Sequence, residues 1–370
     1  MTHDLTSIPP GAMLSRRVAL RIGAATLSAF AGLRAQAAGD AAFDPLPAFS
    51  GQPYLPRPVH IPVDAPYLLP DGRIAIVGND GMDELVRDLN ALFTATHPDV
   101  RFSARMEGSS TGMPALTAGV TLLAPMTRDL WDADRRAFTL IRGYAPQRIR
   151  IGYNGHGPRA PAKTPPAVYV HASNPLAGLA VSQLAQLFTA GSPEGDVRTW
   201  GQLGMRGEWS ARRIHVYGLR DDGGFATGMR QVHFRGQPFA AQYEALPSRE
   251  AVLRAVAADP YGIGMVGWID AAAVTPGLRV LPLAAARGEA FHGPSYEEVR
   301  RGLYPLSAAV QFYVDKRPGQ PLDPLVREYL RLALSRDGQA LVAKQTDSEE
   351  GYVPLSPADL ARELAALDAL

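Results

Sequence analysis

Between Arg73 and Asp129 the chain alternates short apolar runs with segments of helical spacing, and few folds accommodate that order. Arg73-Ile74-Ala75-Ile76-Val77 is a strand-like run ended by Gly78. From Asp83 onward Leu85, Val86, Leu89, Leu92 and Phe93 recur with the period of a helix until His97-Pro98 stops them. Val100 to Ala104 reads as a second strand, Thr111 to Ala118 as a second helix, and Leu122-Leu123-Ala124 as a third short strand. The sequence β-α-β-α-β predicts a parallel sheet with helices on its faces.

Beyond a Pro-rich insertion, Gly157 to Pro166, the pattern resumes. Ala167 to Val170 is a strand and Leu179 to Phe188 a helix; Ile214 to Tyr217 and Ile263 to Val266 are further strands. Leu322 to Ser335, carrying Leu325, Val326, Tyr329, Leu330 and Leu334, is an amphipathic helix. No internal repeat of fixed period is present. Two α/β lobes with two crossovers fit this order better than one large sheet, and 370 residues are enough for both.

The N-terminus reads as a targeting segment. Ser15-Arg16-Arg17-Val18-Ala19-Leu20 is a twin-arginine pattern, a mostly apolar run follows to Leu33, and Ala35-Gln36-Ala37 offers a cleavage site. The competing reading is a cytoplasmic helix that contains Arg-Arg by chance. Removal of residues 1–37 takes away four arginines (16, 17, 21, 34) and one acid, Asp4, so the formal charge of +1 becomes about −2. That balance points to neither a nucleic acid nor a membrane surface as partner. Residues 38–70 contain eight prolines between Pro45 and Pro70 and read as a leader over the surface.

The chain has no cysteine, which excludes disulfides, thiolate metal sites, a cysteine nucleophile and a lipidated N-terminal cysteine. Its eight histidines (3, 60, 97, 156, 171, 215, 233, 292) are scattered, with no pair at i, i+3 or i, i+4, so no metal site is expected.

Four loops could carry chemistry: Gly78-Asn79-Asp80-Gly81-Met82, Glu107-Gly108-Ser109-Ser110-Thr111-Gly112, Pro125-Met126-Thr127-Arg128-Asp129, and "LRDDGGFATGM" from Leu219 to Met229. Ligands of open parallel sheets lie outside the carboxyl ends of the strands, and helix N-termini there present free N–H groups to anions. The same Ser, Thr, Asp and Asn residues also serve as ordinary N-caps, worth about 1 kcal/mol each. Gly108 to Gly112 matches G-x-S-x-G as well, so a serine hydrolase with Ser110 as nucleophile and His215, His233 or His292 as base is an alternative. The oxyanion loop such an enzyme needs is not evident upstream, where Asn79-Asp80-Gly81 would have to serve.

In order along the chain, several stretches resemble the phosphate-binding proteins of bacterial ABC importers, within the wider periplasmic-binding-protein-like family. They are "GNDGMDELVRDLNALFTATHPDV", "GSSTGMPALTAGVTLLAPMTRDL", "VYVHASNPLAGLAVSQLAQLFTAG" with "TWGQLG", "IHVYGLRDDGG", "YGIGMVGW" and "YPLSAAVQFYVDKRPGQPLDPLVREYLRLALSRDGQALV". The resemblance implies two doubly wound α/β lobes joined by two crossover strands, with the ligand in the cleft between them. Lobe 1 would comprise 71–160 and 286–370, and lobe 2 residues 161–285.

Carried over by position, the resemblance implies a ligand site of Asn79, Asp80, Gly81, Ser109, Ser110, Thr111, Thr127, Arg128, Arg220, Asp222, Gly223 and Gly224. Arg220 would supply the cation and Asp80 or Asp222 the proton acceptor that tells phosphate from sulfate. The first loop has Asn79 and Gly81 where the family has Ser and Thr, and the fourth has Gly224-Phe225-Ala226 where it has Ser-Gly-Thr. Hydrogen bonds to a charged group are worth about 1.5–3 kcal/mol each, so losing two without replacement costs several orders of magnitude in affinity.

The function expected is therefore that of an exported, monomeric periplasmic binding protein for a small inorganic anion, phosphate first, without cofactor or catalysis. Its partner would be an ABC permease or another envelope protein. The alternative is a degenerate relative with a weak or empty cleft, acting as a sensor, scaffold or secretion partner.

Overall fold

The computed structural model describes residues 51–222 and 224–370. The signal segment, the first part of the leader and Gly223 lie outside the described residues.

The first sheet is built in two hydrogen-bonded parts, of two and of four strands, and begins with β1 (Ile74–Gly78) of the two-stranded part, which is buried along its whole length. Helix α1 (Asp83–Thr96) follows, with Leu85, Val86, Leu89 and Phe93 on its inner face and Asp83 and Glu84 complementing its positive end. Strand β2 (Phe102–Met106) pairs parallel with β1, Ile74 opposite Phe102 and Gly78 opposite Met106. Helix α2 (Ser109–Ala118) starts two residues before the predicted Thr111, because Gly108 at φ 115° makes the turn that frees Ser109 to be helical. Gly119 at φ 82° ends it.

Strand β3 (Ala124–Met126) lies two residues beyond the predicted Leu122–Ala124. Its register is dictated by a distant partner. β3 pairs with β12 (Ala308–Val314), Met126 opposite Gln311, and a local apolar pattern carries no record of that. Leu122 N–H to Ala75 O (2.9 Å) and Asn79 N–H to Pro125 O (3.0 Å) lace β3 to β1. A Cβ on Gly78 would stand 2.5 Å from the Pro125 carbonyl oxygen, so only glycine fits where the two strands converge. Helix α3 (Asp132–Arg142) and β4 (Gln147–Asn154) complete this stretch, and β4 runs antiparallel to β12.

The second sheet contains β5 (Ala167–His171) and, after β6 (Leu179–Ala180) and α4 (Val181–Phe188), β7 (His215–Leu219). Then come α5 (Gly224–His233), β8 (Tyr243–Leu246), α6 (Arg249–Ala258), β9 (Gly262–Val266), β10 (Leu278–Val280) and β11 (Leu283–Ala284). The strand order is β10-β5-β9-β7-β8, with β7, β8 and β9 parallel and β5 antiparallel to β9. Val252, Leu253 and Val256 of α6 bury against Ala167, Tyr169 and Val266 of this sheet.

The chain then returns to the first sheet through α7 (Tyr296–Arg300) and β12, and closes with α8 (Pro324–Leu334), α9 (Arg336–Lys344), β13 (Val353–Pro354) and α10 (Pro357–Asp368). The order β13-β4-β12-β3 shows that strands from both ends of the chain share one sheet while β5 and β7 to β10 share the other. Two segments therefore cross between the sheets, 155–166 and 285–307.

The described part of the Pro-rich leader is tied down by polar bonds as well as by apolar packing, with Ala65 and Tyr67 in the core. Tyr54 O–H and Arg57 N–H both donate to the buried carboxylate of Glu328 at 2.9 Å, Tyr54 N–H donates to Asp337 at 2.7 Å, and Tyr67 O–H donates to Asp323 at 2.7 Å. The acceptors all belong to α8, its cap or α9.

Candidate functional site

The loops after β1, β2 and β3 end on one side of a cavity of about 430 Å³, and the first turns of α5 and α6 with the end of β9 close the other side. From the first sheet come Asn79, Ser109, Ser110, Thr127, Arg128 and Trp131; from the 306–309 segment before and into β12 come Leu306 and Ser307. The facing wall holds Pro166, Gly224, Phe225, Met229, Val232, His233, Arg249 and Trp268. The N-termini of α2 and α5 both open here, so unpaired N–H groups and two positive helix ends reach the same space.

Each polar side chain is held by its neighbours. Asn79 Nδ2 donates to Ser109 Oγ at 3.0 Å and to Asp80 Oδ1 at 3.2 Å, which orients the first two loops against one another. Arg128 Nη1 donates to Asp134 Oδ2 at 2.7 Å and to Asp129 O at 3.0 Å, while its guanidinium lies 4.1 Å from the centre of the Trp131 ring. Gln311 Nε2 fixes the same loop from β12 through the Arg128 carbonyl at 2.6 Å. Arginine is suited to this position because one fork can pair, stack and still present three N–H groups to a ligand.

Among the described residues, three buried polar atoms around the cavity lack a protein partner: Trp131 Nε1, Ser307 Oγ and Arg249 Nε. Buried donors are normally satisfied, so unsatisfied ones lining a cavity mark where a ligand or water belongs. His233 lines the cavity half-buried, and burial lowers its pKa against the opposing pull of Asp129. It is thus neutral near pH 7, with one ring nitrogen donating and one accepting.

The residues expected from sequence divide into two groups. Asn79, Ser109, Ser110, Thr127, Arg128 and Gly224 line this cavity together. Arg220 and Asp222 do not; both are exposed and line a neighbouring cavity of about 360 Å³, on the side of Leu246, Pro247 and Glu250. The two cavities share Gly224, Phe225 and Arg249. Asp80 is exposed in the turn before α1, and Gly81 stands beside Glu350, whose Oε2 would be 2.9 Å from a Cβ there. Thr111 turns its hydroxyl back and donates to the Gly108 carbonyl at 2.8 Å, a local side-chain-to-backbone bond within the first turn of α2. Gly223 lies outside the described residues.

Phe225 lines both cavities, and its ring packs where a side chain at position 267 would be, Cε2 standing 2.9 Å from a Cβ built on Gly267. Sequence reasoning missed Trp131, Arg249, Trp268 and Ser307. Trp268 was detectable in principle, since it follows β9 by two residues and so leaves the carboxyl end of a strand. It adopts φ 57°, a left-handed conformation that costs a bulky residue about 1–3 kcal/mol and persists only where the surroundings enforce it. Its N–H is fixed to Thr164 O at 2.8 Å, and its ring lies against Gly155.

Ser110 forms no hydrogen bond to a histidine among the described residues. His215 pairs with Asp259 at 2.6 Å and His292 with Glu298 at 3.0 Å, whereas His233 shares the cavity with Ser110 without bonding to it. A nucleophile–base–acid relay is therefore not assembled around Ser110. The described residues also hold no cluster of three metal-ligating side chains, and none of their helices is long and apolar enough to cross a membrane.

Comparison with known proteins agrees with this architecture. The phosphate-binding protein PstS of Pseudomonas aeruginosa, in two strains, is 31% identical over 296 residues, spanning 79% of this chain and 85% of that protein. PstS from Borrelia burgdorferi superposes with a TM-score of 0.52 at 15% identity, covering 76% of this chain and 98% of that one. An ABC-type phosphate transport receptor from Vibrio cholerae gives 0.50 at 16% identity, covering 76% and 99%. These two structures share the two-lobe α/β fold with this chain. The family described as PBP superfamily domain matches residues 65–337, and this chain belongs to it.

Proposed function

We propose that the protein is an exported periplasmic binding protein that captures a phosphate-type oxyanion between its two lobes and presents it for ABC import or sensing. The observation that carries this reading is the convergence of Ser109, Ser110, Thr127 and Arg128 with the open N-termini of α2 and α5 on one cavity. Hydroxyls, helix N-termini and an arginine fork are what a multiply charged oxyanion requires once its water is removed. The 31% identity to a phosphate-binding protein supports phosphate as that anion. In this reading lobe 1 comprises 71–160 and 286–370, lobe 2 residues 161–285, and residues 1–37 are a twin-arginine signal that is removed on export. The mature protein acts as a monomer, docks on a permease or another envelope protein, and catalyses nothing.

One observation favours the alternative, a relative with a weak cleft that works as a sensor, scaffold or secretion partner. The first turn of α5 brings no hydroxyl to the cavity, since Thr227 Oγ1 donates to Asp221 at 2.8 Å and Gly224, Phe225 and Ala226 have none. Calorimetric titration of the purified protein with inorganic phosphate separates the two. Saturable binding in the micromolar range supports import or sensing through the cleft. Absence of heat at millimolar phosphate rejects an inorganic phosphate carrier.

A further inference from the structure

The cavity is larger and less polar than a tetrahedral oxyanion needs. Its volume of about 430 Å³ lies within the range of pockets that enclose organic ligands. Along one edge the walls already touch: Asp132 N–H reaches Gln231 Oε1 at 3.4 Å, and Trp131 Nε1 is 3.7 Å from the place of a Cβ on Gly228.

The distribution of groups is also lopsided. The first-sheet wall supplies Asn79, two serines, Thr127 and Arg128, whereas the opposite wall sets Pro166, Phe225, Met229, Val232 and Trp268 around the polar His233, Arg249 and first turn of α5, with Leu306 adjoining. The far oxygens of an inorganic ion placed against the polar wall would find donors at Arg249 and His233 but none along Pro166, Phe225, Met229 and Trp268. Desolvating a charged oxygen without a hydrogen bond is costly. The same wall is well matched to an uncharged substituent, and the enforced left-handed Trp268 holds an aromatic surface in it.

We infer that the ligand is an organic phosphate or phosphonate: a tetrahedral oxyanion carrying an aromatic or aliphatic body, the anion held by Ser109, Ser110 and Arg128 and the body lying against Trp268, Phe225 and Met229. This rests on the oxyanion reading and names the ligand class for the same cavity. Arg249, with its buried unpartnered Nε at the junction of the two cavities, offers a second cation for an ester or phosphonate oxygen.

The test is a set of titrations of the purified protein with phenylphosphonate, inorganic phosphate and benzyl alcohol, followed by calorimetry and by tryptophan fluorescence, since Trp131 and Trp268 both line the cavity. Phenylphosphonate is expected to bind at least tenfold tighter than phosphate, and benzyl alcohol not to saturate. In Trp268→Ala, and independently in Phe225→Ser, which adds a hydroxyl to the apolar wall, the ratio of the two affinities is expected to fall at least fivefold. Thermal melts establish that each variant is folded, and Phe225→Ser at the half-exposed start of α5 keeps the test open if Trp268→Ala is not. Phosphate binding as tightly as phenylphosphonate overturns the organic ligand while leaving the oxyanion site intact. A tenfold preference that neither folded variant alters overturns the assignment of the wall. Binding of neither anion overturns the oxyanion reading itself, and this inference with it.

Discussion

Replacing Arg128 by alanine separates two arginines that the sequence treats as equals. Arg128 and Arg220 both follow a strand and both stand beside an aspartate, yet only Arg128 lines the cavity shared with Ser109 and Ser110. Its Nη1 is committed to Asp134 and to the Asp129 carbonyl, which leaves three N–H groups for an anion. Two such bonds at about 1.5–3 kcal/mol each amount to about 3–6 kcal/mol, or a loss of roughly two to four orders of magnitude in affinity. The lower end is the better expectation, because the site is open enough for water to replace part of the loss. The unpaired Asp134 left behind would repel the anion and act in the same direction. Calorimetric titration with phosphate and phenylphosphonate should therefore show at least a 100-fold weakening in Arg128→Ala and no more than a threefold change in Arg220→Ala. Asp134→Asn, which frees the fork and removes a competing charge, should tighten binding or leave it level. A large loss in Arg220→Ala with little in Arg128→Ala would refute the placement of the anion, whatever the affinity of the native protein.

Three further outcomes test the scaffold. Tyr54→Phe removes one of the donors to buried Glu328 and should lower unfolding stability by about 1–2 kcal/mol in a denaturant titration, with binding unchanged; an unaltered midpoint would mean that this bond adds nothing to the fold. Gly78→Ala forces a Cβ to within 2.5 Å of the Pro125 carbonyl oxygen and should cost about 1–3 kcal/mol while weakening ligand binding, because the loops after β1 and β3 must part; a wild-type melting curve would contradict that packing. His156 is buried with its pKa lowered chiefly by burial, so below its usual value of 6.5 the unfolded chain takes up a proton that the folded one resists. Stability should fall as pH drops through about 6.5, and His156→Gln should flatten that part of the pH profile.

The parts of the fold that could be read in the sequence are those fixed by local physics. β1 and α1 follow from an apolar run, a helical stripe and His97-Pro98, and the structure places both within a residue of the expected bounds. α3 was not legible, because Leu140 and Ile141 are 87% and 65% exposed and only Phe138 is buried, so its apolar residues do not mark its inner face. β3 slipped by two residues since its register belongs to β12, some 180 positions away. The site shows the same division. Loops at strand ends with serines ahead of a helix announced Asn79, Ser109, Ser110, Thr127 and Arg128. Whether Arg220 or Arg128 faces the cavity depends on how the turn before α5 leaves β7, a matter of backbone direction that residue identity does not encode. Trp131, Trp268, Arg249 and Ser307 arrive from four separate segments, and only the packing of two sheets brings them together.

A crystal structure of the protein grown with phenylphosphonate or phosphate would show whether an oxyanion is held between the two sheets against the first turn of α2. Tetrahedral density is expected within hydrogen-bonding distance of Ser109, Ser110 and Arg128. Density beside Arg220 and Asp222 in the neighbouring cavity, or an ordered cleft with none, would contradict it.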